Sequence, residues 1–329
     1  MSARYVIYGA GAIGGVIGGS LALHGHEVAL IARGAHLDAL QADGLTLHLV
    51  DGTHQIPLVT VGDPAELALT RDDTVILAMK TQDTEVALEQ LDRCAPPEVA
   101  VVCAQNGVEN ERLALRRFKY VYAMSVYLPG VHMEPGVVEG AGTPILGSLD
   151  VGRYPGGVDD RVERLAADLE RSRFRSKADP AVMRFKYAKL RVNTGNALDA
   201  ACGRTHGRSD LGRRAAAEAL AVFAAAGIEV ATKDEVIERQ GKMRTNEIEG
   251  RPRAGSSSWQ SLARGQGRIE ADHLNGEIVL LGRLHGVSTP VNEALRRIAN
   301  RMAVEHMAPG SMPLEDVEGL AEELSVGAD

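Results

Sequence analysis

Short runs that are apolar at nearly every position punctuate the first half of the chain. They fall at residues 4–8, 27–32, 74–79, 99–104 and 120–126, and residues 45–50 and 56–61 also read as strands. A strand covered on one face alternates apolar and polar, whereas a run apolar throughout predicts a strand covered on both, as in a parallel sheet. Between the runs, residues 12–24, 35–42, 84–91 and 110–117 carry helical spacing. Asp63-Pro64 predicts a short helix, with Asp as N-cap and Pro in the first turn. Residues 137–139 and 144–146 read as a late hairpin. Beyond about residue 177 the β-rich runs stop. Asp179-Pro180 starts a long helix through about residue 201, and further helices are predicted over 211–226, 269–285 and 291–307. The pattern predicts an α/β domain over 1–178, its sheet covered by helices on both faces, followed by a helical domain over 179–329. Residues 250–258, rich in Gly, Pro and Ser, read as a functional loop, and the stretch 309–322 with the tail beyond it reads as a fraying end.

Composition narrows the function. The 329 residues carry a net charge of −8, a poor basis for binding nucleic acid or an anionic membrane surface. No apolar run approaches the roughly 20 residues of a membrane span, and the start of the chain lacks the pattern of a signal peptide. The three cysteines, Cys94, Cys103 and Cys202, are far apart and odd in number. That predicts reduced thiols in a cytoplasmic protein and no metal site. Aromatic residues make up only 4%, so the core is built mainly from Ala, Val, Leu and Ile.

The first apolar run ends in Gly9-Ala10-Gly11-Ala12-Ile13-Gly14, a G-x-G-x-x-G pattern between strand and helix. Gly9 permits the tight turn, Gly11 lets a pyrophosphate approach the backbone, and Gly14 lets helix and strand pack closely. The helix N-terminus offers free N–H groups to the phosphates. In that context the motif predicts a Rossmann-type dinucleotide site. Gly15, Gly18 and Gly19 read as packing positions. The second strand ends Ala32-Arg33-Gly34, without the acid that would bond a ribose 2′-hydroxyl. Arg33 reads as a fork for a 2′-phosphate, hence NADP(H), or else as a solvated arginine. His36 reads as a surface residue. Lys80 and Asn106 each follow a predicted strand, at the carboxyl edge where parallel sheets bind ligands. A surface lysine and a plain Asn-Gly turn are the alternatives. Lys189 and Asn193, four apart, share a helix face, and Lys189 lies in a basic stretch with Arg184, Lys186 and Arg191.

Several pieces, in this order, resemble the ketopantoate (2-dehydropantoate) 2-reductase family over nearly the whole chain. They are the glycine motif with Gly15, Met79-Lys80-Thr81-Gln82, Gln105-Asn106-Gly107, Tyr187-Ala188-Lys189-Leu190-Arg191-Val192-Asn193, Ser257-Ser258, Glu270-Ala271-Asp272-His273-Leu274-Asn275-Gly276, and Gly286 through Asn292. The resemblance implies a Rossmann-type domain followed by an all-helical domain of the 6-phosphogluconate-dehydrogenase C-terminal type. It further implies NADPH-dependent reduction of a 2-oxo acid, most simply ketopantoate to pantoate in pantothenate biosynthesis, in a cleft between the domains. Lys189 is then the general acid. Asn106, Asn193, Ser258 and Glu270 contact substrate, and Lys80, Asn106 and Glu270 also contact cofactor. Asn275 and Asp272 read as holding helices together. A homodimer is compatible with the sequence.

The sequence departs from the family pattern in the substrate half. The family's second asparagine, eight residues after the lysine, is replaced by Ala197, with Asn196 one position earlier. Trp259 stands where methionine is usual, and an acid is missing after it. If Trp259 lines the pocket it narrows the substrate space; otherwise it belongs to the helical core. These departures keep open a paralogue acting on another oxo acid or an imine. A non-catalytic NADP-binding protein is a further alternative.

Overall fold

The computed structural model describes residues 4–203, 209–251 and 254–326. The chain runs β1 (Tyr5–Tyr8), α1 (Ala12–Leu23), β2 (Val28–Ile31), α2 (Gly34–Asp43), β3 (Leu45–Leu49), β4 (Gly52–Ile56), β5 (Val59–Val61), β6 (Thr74–Leu77), α3 (Thr84–Cys94), β7 (Ala100–Cys103), α4 (Asn110–Leu115), β8 (Tyr120–Tyr127), β9 (Gly130–Val131), β10 (Val137–Gly140), β11 (Gly142–Thr143), β12 (Gly147–Arg153), α5 (Asp160–Arg171) and β13 (Phe174–Arg175). It continues through α6 (Val182–Asn193), α7 (Gly195–Cys202), α8 (Asp210–Ala225), α9 (Lys233–Gln240), β14 (Arg244–Thr245), α10 (Ser257–Ala263), α11 (Asn275–His285), α12 (Pro290–Val304) and α13 (Leu314–Val326). Two compact units result, one formed by residues 1–186 with 232–253 and the other by 187–231 with 254–329. The sequence pattern places its boundary at residue 178; the units part inside α6.

In the first unit an eight-stranded sheet has the order β13-β12-β8-β7-β6-β1-β2-β5. Every pairing is parallel except β12 against β8. Tyr5 and Ile7 enter one apolar cluster and Val6 and Tyr8 another, so the sheet is covered on both faces. This is why its strands read as unbroken apolar runs. A second sheet, β4-β3-β10-β9, lies on the far side of α1. A Cβ on Gly18 would strike Ile7 of the large sheet, and one on Gly19 would press on Leu45 and Leu47 of the small one. The glycine-rich helix is thin because it is packed from two sides.

Some predicted elements are different. Residues 56–61 are not one strand: β4 and β5 part at Pro57, which cannot donate to a ladder, and join different sheets. No hairpin joins 137–139 to 144–146. Instead β10 pairs with β3 and β9, and β12, absent from the sequence reading, pairs with β8. The buried Asp150 interrupts the apolar signal of β12. In the second unit all described elements are helical, around a core of Ala197, Ala201, Leu295, Ile298 and neighbours. The stretch predicted to fray forms α13 instead, and its Val317 and Ala321 are buried in this core. Of the loop over 250–258, residues 252 and 253 lie outside the described residues; Ser256 caps α10.

Candidate active site

Four adjacent parallel strands each deliver a candidate at the carboxyl edge. In the order β7, β6, β1, β2 these are Asn106, Lys80, the glycine loop and Arg33. Gly9 has φ +100, and a Cβ there would lie 2.6 Å from the Met79 nitrogen, so no other residue fits without displacing the neighbouring loop. A Cβ on Gly14 would run into the Gly9 carbonyl and lie 2.7 Å from Ile7 Cγ2. Gly11 is different: the nearest atom to its Cβ position, His132 Cδ2, is 3.8 Å away. The space above Gly11 is open at the N-terminus of α1, whose first turn has no side-chain cap and no acid. A cradle of bare N–H groups that a side chain would fill fits a pyrophosphate.

His36 is not a free surface residue. Its Nδ1 accepts from Gly136 N–H at 2.9 Å, which leaves the proton on Nε2, and Nε2 donates to the Ala10 carbonyl at 2.9 Å. The ring also packs on His132, 4.3 Å between centroids. Burial lowers the His36 pKa, so a neutral imidazole braces the glycine loop from outside the motif. Arg33 is 73% exposed along its side chain and pairs with Asp83 at 2.8 Å. Lys80 and Asn106 are half-buried. A buried network holds the two turns that carry them. Thr84 Oγ1 donates to Asn110 Oδ1 (2.7 Å), and Asn110 Nδ2 donates to Thr81 Oγ1 (3.1 Å) and to the Gly107 carbonyl (3.2 Å). Gln105 Nε2 donates to Thr84 Oγ1 (3.0 Å). The sequence reading gave none of these four a role: Thr81 and Gln105 stand in quoted pieces after strands, while Thr84 and Asn110 open the helices that follow.

In the second unit, Lys189 and Asn193 project from one face of α6. Lys189 is half-buried, and desolvation lowers its pKa to about 8. Asn193 is buried, with Nδ2 lacking a hydrogen-bond partner among the described residues. The predicted long helix is interrupted after Asn193. Thr194 turns its hydroxyl back to the Arg191 carbonyl at 2.8 Å, and α7 restarts at Gly195. Asn275 Nδ2 donates to the Thr194 carbonyl at 2.9 Å and to Asn292 at 3.0 Å, the helix-joining role expected of it. Asp272 likewise accepts from Arg296 at 2.9 Å and Asn300 at 2.8 Å. Past the interruption Asn196 points to Ser257, its Nδ2 3.5 Å from Oγ, while Ala197 sits in the apolar core. Ser257 was not among the predicted site residues; Ser258, which was, is buried in α10. Trp259 packs on the helical core, its indole over Gly255. Glu270 is buried in a 3₁₀ turn, Glu270–His273, that precedes α11 rather than opening it.

A parallel sheet with an open glycine cradle at its carboxyl edge, joined to a helical unit bearing a lysine of depressed pKa, defines a nicotinamide-dependent oxidoreductase of the CH–OH class. The chain belongs to the ketopantoate reductase family. The family model "Ketopantoate reductase PanE/ApbA" matches residues 5–156 and its C-terminal counterpart residues 182–303. The 2-dehydropantoate 2-reductase of Halobacterium salinarum is 30% identical, over 91% of this chain and 99% of that protein. The enzyme of the same name from Mesorhizobium japonicum is 30% identical, over 92% and 98%. Among solved structures, a PanE/ApbA family ketopantoate reductase from Ralstonia eutropha superposes with a TM-score of 0.76 at 30% identity, covering 92% of this chain and 99% of that one. D-mandelate dehydrogenase, solved with NADH and anilino(oxo)acetate, shares the fold at a TM-score of 0.77 and 22% identity, covering 92% and 99%.

Proposed function

We propose that the protein reduces a 2-oxo acid with NADPH, and that the acid is 2-dehydropantoate, giving pantoate within pantothenate biosynthesis in the cytoplasm. The observation that carries this reading is the pairing of Lys189, its pKa lowered to about 8, with Asn193, whose Nδ2 has no hydrogen-bond partner among the described residues, on one face of α6. When bound, the dinucleotide supplies the hydride that the keto carbon accepts. The N-terminus of α1 and Gly11 hold its pyrophosphate and Arg33 its 2′-phosphate; Lys80 is a further cofactor contact, and Asn106 meets the cofactor ribose or the substrate. Lys189 donates a hydrogen bond to the keto oxygen and, as charge grows there, passes its proton to it, then refills from solvent. Asn193 Nδ2 supplies a second donor, and Ser258 and Glu270 are the groups that orient the rest of the substrate. Oxo acid, hydride and one proton give the hydroxy acid, so no further reactant is needed. The experiment is NADPH oxidation against a panel of 2-oxo acids, 2-dehydropantoate among them. Turnover confined to a different oxo acid would reject the substrate, and no turnover with any would reject the reductase.

A further inference from the structure

Lys186 and Glu111 form an ion pair of 2.5 Å inside the first unit, with side chains 2% and 0% exposed. No step proposed above uses either residue. The ammonium also donates to the Cys103 carbonyl at 3.2 Å, while Glu111 Oε2 has no partner among the described residues. A buried pair left partly unsatisfied is a poor source of stability, because apolar side chains of the same volume often serve as well or better. What it provides is direction. Nζ is fixed between the end of β7 and the first turn of α4, at either end of the loop that carries Asn106. Lys186 is also the fifth residue of α6. On a helix, residues three and seven positions further lie within about 60° and about 20° of the same direction. Lys189 and Asn193 are those residues.

We propose that the Lys186–Glu111 pair is a positioning device: it sets the roll of α6 about its own axis, and so the direction in which Lys189 and Asn193 project. Neither member touches the reacting atoms. The inference rests on the reading of Lys189 as proton donor.

The test replaces the pair together, Lys186→Met with Glu111→Leu, which leaves no buried unpaired charge and lets the chain fold. Lys186→Arg is the conservative control. Turnover of 2-dehydropantoate with NADPH, NADPH binding by fluorescence and the melting temperature are measured for each, alone and combined with Lys189→Ala. The double variant is expected to lose 10-fold or more in kcat with NADPH affinity within 3-fold of the parent. Lys186→Arg should recover part of the loss. In the Lys189→Ala background, removing the pair should cost much less kcat than it does in the parent, because only the part of the device that acts through Asn193 is left. Parental kcat in the double variant, or a full additional loss on top of Lys189→Ala, overturns the proposal. If Lys189→Ala itself turns over normally, the proton-donor reading fails instead, and the two failures are told apart.

Discussion

Lys189 shows how one residue's surroundings set its chemistry. Its pKa is lowered to about 8 by desolvation, so the ammonium is still charged at neutral pH but gives up its proton more readily than an exposed lysine. With Lys189 as the proposed proton donor, reduction needs the protonated form. Its kcat should therefore be level below pH 7 and fall about tenfold per pH unit above 8, while oxidation of the hydroxy acid should rise over the same range. Lys189→Ala should lower kcat roughly 100-fold and flatten both profiles. A parental profile that stays flat from pH 7 to 9.5 would remove Lys189 from the reaction. Arg33 makes a comparable case for cofactor choice. Its guanidinium, exposed and shared with Asp83 at 2.8 Å, must leave that carboxylate at least in part to meet a 2′-phosphate. Arg33→Ala should raise KM for NADPH far more than for NADH. Asp83→Asn should act the other way and lower KM for NADPH several-fold, since the competing acceptor's charge is gone. Equal use of both cofactors by the parent enzyme would refute the role given to Arg33.

At the scale of the element, the passage from α6 into α7 sends neighbouring side chains to different surroundings. Thr194 stays in the right-handed helical region, and on a helix Asn196 lies about 100° away from the direction of position 197. Asn196 meets Ser257 while Ala197 enters the helical core. Trp259, half-buried, packs against that core. It is therefore expected to act as a packing residue, and Trp259→Met should lower stability by about 1–3 kcal/mol without improving turnover of 2-dehydropantoate. Ala197→Asn should cost about 1–3 kcal/mol, because it buries an amide among apolar side chains. A Trp259→Met variant with several-fold higher kcat/KM and an unchanged melting temperature would return the indole to the substrate space. The same elements show what was legible in the sequence. Strands β1, β2, β6, β7 and β8 could be read because a strand covered on both faces must be apolar throughout. The glycine loop could be read because its backbone excludes a Cβ at Gly9 and Gly14. The break after Asn193 could not, and the Asn275 that bonds the Thr194 carbonyl there lies far along the chain. Nor could His36, whose partners Ala10 and Gly136 are distant in sequence.

For the whole molecule, the notable feature is that residues 232–253 return to the first unit in the middle of the helical part of the chain. Helix α9 buries no residue completely, so apolar packing is a weak account of why this excursion stays. Strand β14 pairs with β11, and charge adds the side-chain ties. Arg239 Nη2 pairs with Asp179 at 2.5 Å and Nη1 with Asp150 at 3.5 Å, and its guanidinium lies 4.9 Å from the Phe185 ring. Arg184 bonds both Glu235 oxygens at 3.1 Å, and Arg251 reaches Glu139 at 2.7 Å. The Arg239 site is the most buried of these and therefore the least screened by salt. Arg239→Met keeps the bulk over Phe185 but leaves Asp150 and Asp179 close together without their cation. Breaking such a pair should cost about 3 kcal/mol at pH 7 and open residues 241–250 to protease. Asp150 already has its pKa raised to about 6, chiefly by desolvation and further by Asp179, with Arg239 pulling it down. Without Arg239 it must rise further. A carboxyl whose folded pKa exceeds its unfolded value gains stability as pH falls through the folded pKa. The variant's deficit should therefore shrink between pH 7 and about pH 5, while the parent changes less over that window. Melting curves and limited proteolysis at both pH values measure this. Unchanged protease resistance at pH 7, or a deficit that grows on acidification, would show that the excursion is held by something other than Arg239.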